Sequence, residues 1–315
     1  MEIVVVALGG NAITRPGEPG TIPQQFAHTA ETLGHLTSLF SSGCGLVITH
    51  GNGPQIGNIL IRVEESERRV PRLPLDTCVS DSQGGMGYMI QRLACELFRR
   101  VGIRRGVATL ITQVLVDPGD PDFGHPSKPI GEYYTCQQAC RLRAERPDWL
   151  IHEIEPGRFR RVVPSPHPLA IIEEDAIVSL VRSGVVTIAC GGGGIPVTWQ
   201  DGRLVGVEGV VDKDLASSLL ASQIHAHKLV IVTSVERAAI RYGKPDQRWL
   251  GTITIEEARA YLDAGEFPAG SMGPKIEAGI GFVERGGEAC IITSTEQVER
   301  ALEDRTGTWI VRGRA

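Results

Sequence analysis

Residues 46–54, LVITHGNGP, decide how this chain folds. The run at 46–49 is continuously apolar or β-branched, which is typical of a strand buried on both faces. Gly51 and Gly53 predict a tight loop directly after this strand, and a helical pattern starts at Pro54. The stretch therefore predicts a strand, a glycine loop and a helix in close succession.

The same unit occurs twice more in the chain. Residues 3–8 end in Gly9 and Gly10, and a strand predicted at 185–189 ends in four glycines at 191–194. Such strands, alternating with helices, indicate a parallel sheet covered on both faces, the α/β class. The pattern also predicts helices at 23–42, 85–100, 170–183, 254–264 and 274–285 and from Asp212, strands at 107–116, 229–233, 289–292 and 308–311, and a hairpin turn at Asp201 and Gly202.

Residues 117–168 interrupt this alternation. They are rich in Pro, Gly, Arg and aromatic residues, with short alternating pieces such as 159–163. A length of 315 residues allows one large α/β domain or two smaller ones. We interpret residues 1–315 as a single domain that contains 117–168 as an inserted lid or hairpin subdomain.

Composition and charge limit the classes of function that this protein could have. The formal net charge is −5 and no basic block is present, so no nucleic-acid partner is expected. No run is long and apolar enough to span a membrane, and Met1 leads directly into a strand without a signal peptide, which predicts a cytoplasmic protein. The seven cysteines are irregularly spaced, which predicts free thiols.

The three glycine loops predict a site for a polyanion. The carboxyl ends of parallel strands line the crevice where ligands bind, and glycines let backbone N–H groups approach an anion closely. Each loop alone could equally be a tight turn, but three at equivalent positions favour a binding site. The chain contains neither a P-loop nor a good dinucleotide fingerprint, so the phosphates are held in another way.

Lysine is rare in this chain and is placed where phosphate chemistry needs it. Of 32 basic residues only five are lysines, and Lys128, Lys213 and Lys275 lie in segments punctuated by Gly or Pro, whereas Lys228 and Lys244 are as readily explained by chance. Asp212 predicts a helix cap that places Lys213 in the first turn, and Pro274 predicts a second helix start beside Lys275. Two lysines at two helix starts could neutralise a transferring phosphoryl group, with Asp214 orienting them.

A metal site is not predicted. His125, Cys136, Cys140 and His152 all lie within the insertion, but their spacing fits no standard zinc pattern.

Several motifs together resemble the carbamate kinases of the amino acid kinase superfamily. The resemblance runs nearly end to end, and the segments at 128–131 and 161–166 are those that distinguish carbamate kinases from acetylglutamate, uridylate and aspartate kinases. The motifs are ALGGNA at 7–12, THGNGPQIG at 49–57, QGGMGY at 83–88, KPIG at 128–131, RVVPSP at 161–166, ACGGGGIPV at 189–197, DKDLA at 212–216 and GSMGPK at 270–275.

This resemblance implies a fold and a reaction. The fold is a three-layer α/β/α sandwich around a mainly parallel sheet, the amino acid kinase fold, with a protruding lid and a homodimeric assembly. The reaction is reversible phosphoryl transfer between carbamoyl phosphate plus ADP and carbamate plus ATP, with Mg²⁺. An ATP-forming direction, in the breakdown of arginine or a related nitrogen compound, is the expectation.

The resemblance also implies roles for individual residues. Lys213, Lys275 and Asp214 would act on the phosphoryl group, and Lys128 would reach in from the lid. The residues implied to bind carbamoyl phosphate are Gly10, Asn11, Gly51, Asn52 and Gly53, and those implied to bind the nucleotide are Thr233, Tyr242, Met272, Gly273 and Lys275.

Two alternatives remain open from the sequence. Another small-molecule kinase could share this fold, because a fold does not settle the substrate. A non-catalytic nucleotide-binding or storage module is the other alternative, although the complete set of motif lysines argues against it. One departure from the superfamily is Ser234, which stands where many members have Asp after Thr and which weakens any nucleotide role at that position.

Overall fold

The first strand, β1 at Ile3–Leu8, is buried along its entire length. Val5 and Ala7 pack into one apolar core, while Val4 and Val6 pack into another. A strand whose two faces are both apolar requires helices on both sides of the sheet. The computed structural model, which describes residues 1–15, 17–268, 270–303 and 306–313, has this arrangement.

The central sheet is mainly parallel. The strands in chain order are β1, β2 (Gly45–His50), β3 (Val107–Thr109), β4 (Gln113–Val116), β5 (Lys128–Tyr134), β6 (Leu150–Glu155), β7 (Arg158–Val163), β8 (Pro168–Ile171), β9 (Val186–Ile188), β10 (Ile195–Gln200), β11 (Arg203–Gly206), β12 (Lys228–Thr233), β13 (Ala239–Ile240), β14 (Arg248–Trp249), β15 (Thr252–Thr254), β16 (Ala289–Ser294) and β17 (Thr308–Val311). Within the described residues, eight of them form one sheet in the order β15-β17-β16-β12-β1-β2-β9-β3. Its strand pairs are parallel except for β16 with β17.

The described residues form ten helices, of which eight cover the two faces of this sheet. The ten are α1 (Ile22–Gly34), α2 (Thr37–Ser41), α3 (Gly53–Ser66), α4 (Leu75–Val101), α5 (Cys136–Glu145), α6 (Glu174–Arg182), α7 (Lys213–Gln223), α8 (Ile255–Asp263), α9 (Met272–Glu284) and α10 (Val298–Leu302). Helices α6 to α9 enclose one core, and α1, α2, α4 and α10 enclose the other. The result is the predicted three-layer α/β/α sandwich.

The segment between β4 and β8 builds a small sheet of its own. Strands β5, β7 and β6 pair in that order, and α5 packs on them around Tyr134, Ala139 and Trp149. Ile130 of β5 and Val163 of β7 extend into a third apolar core that they share with α3. A second small sheet has the order β11-β10-β4-β8, and two of its strands, β4 and β8, flank this unit in the sequence.

Four predicted elements were wrong in extent. The helix predicted at 23–42 is two helices, because α1 ends at Gly34, a poor helix former, and the buried Leu36 precedes α2. The predicted strand at 107–116 is divided between two sheets, since the side chain of Gln83 hydrogen-bonds the backbone N–H and C=O of Thr112 and diverts the chain there.

The two remaining differences concern helix starts. The helix predicted at 85–100 begins at Leu75, whose N–H donates to Glu208 Oε1 at 2.9 Å. The helix predicted at 170–183 begins only at Glu174, because Ala170 is paired with Leu115 in the second small sheet. Local apolar periodicity does not show either of these long-range partners.

Three other observations bear on the sequence predictions. The hairpin turn is present, with φ of 50° at Asp201 and 75° at Gly202. All seven cysteines are free, as predicted. No helix in the described part of the chain is both long and apolar enough to cross a membrane.

Candidate active site

A buried carboxylate joins the two lysines that the sequence singled out. Asp214 is 3% exposed; its Oδ1 lies 2.5 Å from Lys213 Nζ and its Oδ2 lies 2.9 Å from Lys275 Nζ. Burial alone would raise the pKa of Asp214, but the charges and hydrogen bonds of both lysines outweigh it and lower the pKa to about 2. The carboxylate is therefore ionised at neutral pH and holds two cations side by side.

Both lysines are delivered by the first turns of helices. Asp212 caps α7 by accepting the Asp214 N–H at 2.8 Å and the Leu215 N–H at 3.4 Å, so that Lys213 begins the helix as predicted. Helix α9 begins at Met272, which makes Pro274 its third residue and not its first. The first helical turns bring their N–H groups and the positive end of the helix dipole to the same place as the two ammonium groups.

A cleft of about 800 Å³ opens on one side of this carboxylate. Two of its walls are the loops that follow β1 and β2, and they are tied together by a hydrogen bond from the Gly51 N–H to the Leu8 carbonyl at 3.0 Å. Four of the five residues that the resemblance implied for binding carbamoyl phosphate line it, namely Gly10, Gly51, Asn52 and Gly53. Asn11 follows Gly10 in a short 3-10 turn, and its side chain lies outside the described part of the structure.

The third glycine loop, residues 191–194, contributes less to the cleft than predicted. Of its glycines only Gly192 lines the cleft. The loop packs tightly behind the site instead, since a Cβ on Gly191 would lie 2.4 Å from His50 Nε2 and one on Gly193 would lie 2.2 Å from the Val211 carbonyl oxygen. These glycines are needed mainly for close backbone approach.

His50 supports the glycine loop as a neutral group. It is 1% exposed, and its Nδ1 lies 3.1 Å from the Gly51 carbonyl oxygen, an acceptor to which Nδ1–H must donate. Burial lowers the pKa of His50 to about 4, with a further lowering from the charge of Lys213 and an opposing contribution from the Gly51 bond. The ring therefore adds no charge to the site at neutral pH.

A second, smaller cavity of about 200 Å³ is lined by Lys275. Four of the five predicted nucleotide residues line it: Thr233, Tyr242, Met272 and Lys275. The fifth, Gly273, is buried in the first turn of α9 and is not among the lining residues. Tyr242 is 63% exposed, so much of its ring is accessible. Its ring makes an edge contact with the ring of Trp249, with the two ring centroids 6.5 Å apart.

The sequence did not identify several residues of this smaller cavity. Arg237, Phe267 and Pro268 line it, and so does Ser234, for which the sequence argued against a role. They come from the segment after β12 and the segment before α9, which lie about thirty residues apart in the sequence. No motif in either segment marks them, so only the tertiary structure brings them together.

Lys128 reaches the cleft from the small sheet. It begins β5, it lines the cleft, and its Nζ lies 2.7 Å from Asp212 Oδ2. Arg160 of the neighbouring β7 also lines the cleft and was not predicted. Lys228 lies at the start of β12, at the opposite end of that strand from the site. Its Nζ pairs with Glu2 Oε1 at 3.0 Å, which fits the alternative that this lysine has no role in the site.

Metal-binding residues do not cluster elsewhere in the described residues. No group of three or more His, Cys, Asp or Glu side chains there is placed to hold a metal ion. Cys136 and Cys140, whose spacing fits no standard zinc pattern, are both exposed on α5.

The geometry determines what the site can do. Lys213 and Asp214 line the larger cleft, Lys275 lines the smaller cavity, and the ion pair between Asp214 and Lys275 connects the two. A group transferred from a ligand in one cavity to a ligand in the other would therefore pass beside two ammonium groups. Transfer of a phosphoryl group needs such positioning and charge neutralisation more than it needs a covalent catalyst. This fold and this site define a phosphotransferase.

This chain is similar to known proteins in sequence and in fold. The sequence profile described as the Amino acid kinase family matches residues 2–294. The carbamate kinase of Thermococcus kodakarensis is 44% identical over 315 residues, covering 99% of this chain and 100% of that protein. The carbamate kinase-like protein YahI of Escherichia coli is 43% identical over 314 residues, covering 99% of each. A structure of carbamate kinase from Giardia lamblia bound to AMP-PNP matches with a TM-score of 0.93 and 39% identity, covering 98% of each chain.

The chain belongs to the amino acid kinase family, in the group of the carbamate kinases, which confirms the resemblance found in the sequence.

Proposed function

We propose that this protein is a carbamate kinase, which transfers a phosphoryl group reversibly between carbamoyl phosphate and ADP. One observation carries the proposal: the buried Asp214 holds Lys213, which lines a cleft suited to an anion, together with Lys275, which lines a second cavity. The relatives named as carbamate kinases over their full length support the choice of substrate.

In the ATP-forming direction, carbamoyl phosphate occupies the larger cleft. The backbone N–H groups of the loops at Gly10 and Gly51 to Gly53, with Lys128 above them, bind its phosphate and carbamoyl ends. A terminal phosphate oxygen of ADP attacks the phosphorus, and the bond to the carbamate oxygen breaks. Carbamate leaves, and the phosphoryl group becomes the terminal phosphate of ATP.

The two lysines act on the group in transit. Charge spreads over the equatorial oxygens of the phosphoryl group in the transition state, and an ammonium on each side neutralises it. Asp214 is a positioning residue for both, because without it two partly buried cations would repel each other. Asn11 and Asn52 complete the proposed substrate set, with the Asn52 side chain fixed by a 2.8 Å hydrogen bond to Ser82 Oγ.

The nucleotide occupies the smaller cavity as its magnesium complex. Thr233, Tyr242, Met272, Gly273 and Lys275 form the proposed nucleotide site, with Tyr242 beside the base. Asp214 and Asp212 are both already paired with lysines, so the residues fit a magnesium ion that arrives on the nucleotide phosphates better than a resident ion in a protein cage. When bound, the ion neutralises charge on those phosphates.

We further propose that residues 117–168 act as a lid and that the protein works as a cytoplasmic homodimer. A distinct sheet with its own small core supports the lid, and Lys128 gives it a contact with the cleft. Trp199, which is 55% exposed, and Val205, which is 38% exposed, lie on the β10–β11 hairpin and offer apolar surface for a second copy. Sedimentation equilibrium tests the dimer, and a monomer at micromolar concentration would contradict it.

The proposed physiological direction is ATP formation, in the breakdown of arginine or a related nitrogen compound. Deletion of the gene in its host should then lower growth on that nitrogen compound but not on ammonia. Equal growth on both would contradict the assigned pathway and leave the reaction itself untouched.

The substrate is tested by comparing phosphoryl donors. ATP formation from ADP and Mg²⁺ is measured with carbamoyl phosphate and, separately, with acetyl phosphate, after subtraction of spontaneous donor decay. We expect kcat/KM at least about a hundredfold higher for carbamoyl phosphate, because its amide can be hydrogen-bonded where a methyl group cannot. If acetyl phosphate or another acyl phosphate is the better donor, the protein is a different small-molecule kinase on this fold.

A further inference from the structure

The two carboxylate oxygens of Asp212 have different partners. Oδ1 accepts the backbone N–H groups of Asp214 and Leu215 and so caps α7, the helix that starts with Lys213. Oδ2 accepts from Lys128 Nζ at 2.7 Å. One side chain thus fixes the start of the helix that carries Lys213 and also holds the lysine at the start of β5.

Capping of α7 does not by itself explain why residue 212 is an aspartate. Asn and Ser cap helices as well as Asp does, so a cap requires no charge. The pairing with Lys128 is partly shielded, since the Asp212 side chain is 17% exposed and that of Lys128 is 36% exposed. Both residues line the cleft, which places the ion pair at the ligand site and not on the outer surface.

This ion pair differs from the others between the small sheet unit and the rest of the protein. Arg146 pairs with Glu67 at the end of α3, Arg161 pairs with Glu208 in the loop before α7, and Asp148 pairs with Arg72. None of these pairs lines the cleft. The Lys128–Asp212 pair connects the small sheet directly to the machinery around Lys213.

We propose that Asp212 is a positioning residue that holds Lys128 at the cleft before the anionic substrate binds. An ammonium group has three donors, and Asp212 occupies one of them, which leaves two for an anion. Lys128 is a long, flexible side chain, and fixing it in advance removes an entropy loss that substrate binding would otherwise incur. The identity of the anion, carbamoyl phosphate, rests on the proposed function; the link between Lys128 and Asp212 does not.

The test separates the cap from the ion pair. Asp212→Asn and Asp212→Ser both preserve a capping side chain and remove the charge that pairs with Lys128. Each is made in the unsubstituted protein and in a Lys128→Ala background, and Glu67→Gln serves as the control because it breaks another ion pair of the same small sheet away from the cleft. Steady-state kinetics give kcat and the KM for carbamoyl phosphate and for ADP. Hydrogen exchange of the ligand-free proteins reports on residues 127–134.

We expect Asp212→Asn to raise the KM for carbamoyl phosphate about tenfold, with kcat and the KM for ADP within about twofold, and to speed exchange at 127–134. In the Lys128→Ala background the same substitution should have no further effect on KM, because the interaction it removes is already lost. Glu67→Gln should leave the KM for carbamoyl phosphate within about twofold.

Either of two results would overturn the proposal. One is unchanged exchange at 127–134 in both Asp212 variants, and the other is an equal rise in KM with and without Lys128. If the unsubstituted protein forms no ATP from carbamoyl phosphate, the proposed function fails, and hydrogen exchange alone then decides whether Asp212 holds Lys128.

Discussion

Asp214 lies between two ammonium groups that belong to different helices. Removing one member of a buried ion pair typically costs about 3–5 kcal/mol, because a charge is left without a partner. Lys213 and Lys275 are thus placed together at a potential cost in stability, and the result is two cations at one point. The arrangement is best explained if a phosphoryl group passes between them.

Each lysine should therefore matter for the rate of transfer, and replacing one of them leaves Asp214 paired with the other, which limits the loss of stability. We expect Lys213→Met or Lys275→Met to lower kcat roughly a hundredfold or more, since each removes a charge that acts in the transition state. The control is Lys228→Met, the same substitution at a lysine that pairs with Glu2 at the far end of β12. Measurement of kcat and KM for all three variants checks this, and losses below about threefold at Lys213 or Lys275 would contradict the assigned roles.

His50 makes the stability of the protein depend on pH. Its pKa is about 4 in the folded chain against an ordinary value of 6.5, so between these values the unfolded chain binds a proton that the folded chain does not. Stability is then complete above pH 6.5 and falls as the pH drops from 6.5 to 4, by on the order of 3 kcal/mol.

His50→Asn is expected to remove this part of the pH dependence, because the Asn amide can still donate to the Gly51 carbonyl but does not titrate. Urea unfolding at pH 7, 6, 5 and 4 measures it. The same substitution at His152, an exposed residue of β6, is the control. An unchanged slope between pH 6.5 and 4 in His50→Asn would show that another group causes it.

The glycine loop before β10 controls where α7 begins. Gly193 has a φ of 94°, and a Cβ there would lie 2.2 Å from the carbonyl oxygen of Val211, the residue just before Asp212. Backbone cannot yield as a flexible side chain can, so any substitution would displace the start of the helix that carries Lys213. The loop thus acts on the site through packing and less through contact with an anion.

Gly193→Ala should consequently reduce both stability and rate. We expect a loss of about 3 kcal/mol in the free energy of unfolding, from strain at positive φ plus the steric clash. Gly202→Ala is the matched control, because Gly202 has a φ of 75° but open space around its Cβ position, and should cost only about 1 kcal/mol. Equal losses in chemical denaturation would remove the argument from close packing.

Local sequence patterns were most successful where an element depends on its own residues. The cap at Asp212, the strand at β1 and the hairpin at Asp201 each follow from short-range chemistry and were predicted. The division of residues 107–116 between two sheets was not, because it depends on Gln83, which is 29 residues away from Thr112. The same limit applies to Arg160, Arg237 and Phe267, which enter the two cavities only through tertiary packing.

The molecule contains two binding regions, which are connected by the ion pair between Asp214 and Lys275. One is the cleft formed by the loops after β1 and β2 and by the small sheet with Lys128, and the other is the cavity between the ends of β12 and α9. Most of the lining of each region comes from separate parts of the chain, although the segment just before α9 contributes to both. Substitutions in one region should therefore affect the affinity for one substrate only.

Tyr242→Ala and Lys128→Ala test this division. We expect Tyr242→Ala to raise the KM for ADP about tenfold, in keeping with the loss of an aromatic contact to a base, and to leave the KM for carbamoyl phosphate unchanged. Lys128→Ala should raise the KM for carbamoyl phosphate strongly, so that turnover is lost at low concentrations of this substrate, while ADP binding, measured by calorimetry, stays the same. A variant that weakened both substrates equally would contradict the separation of the two regions.

Direct transfer between the two regions is measured most simply by ³¹P NMR on one sample of the purified protein with carbamoyl phosphate, ADP and Mg²⁺. The signal of carbamoyl phosphate should fall at the rate at which the terminal phosphate of ATP appears, while inorganic phosphate grows only at the rate seen without protein. If carbamoyl phosphate gives only inorganic phosphate and ADP is unchanged, the site does not perform the transfer for which its lysines are placed.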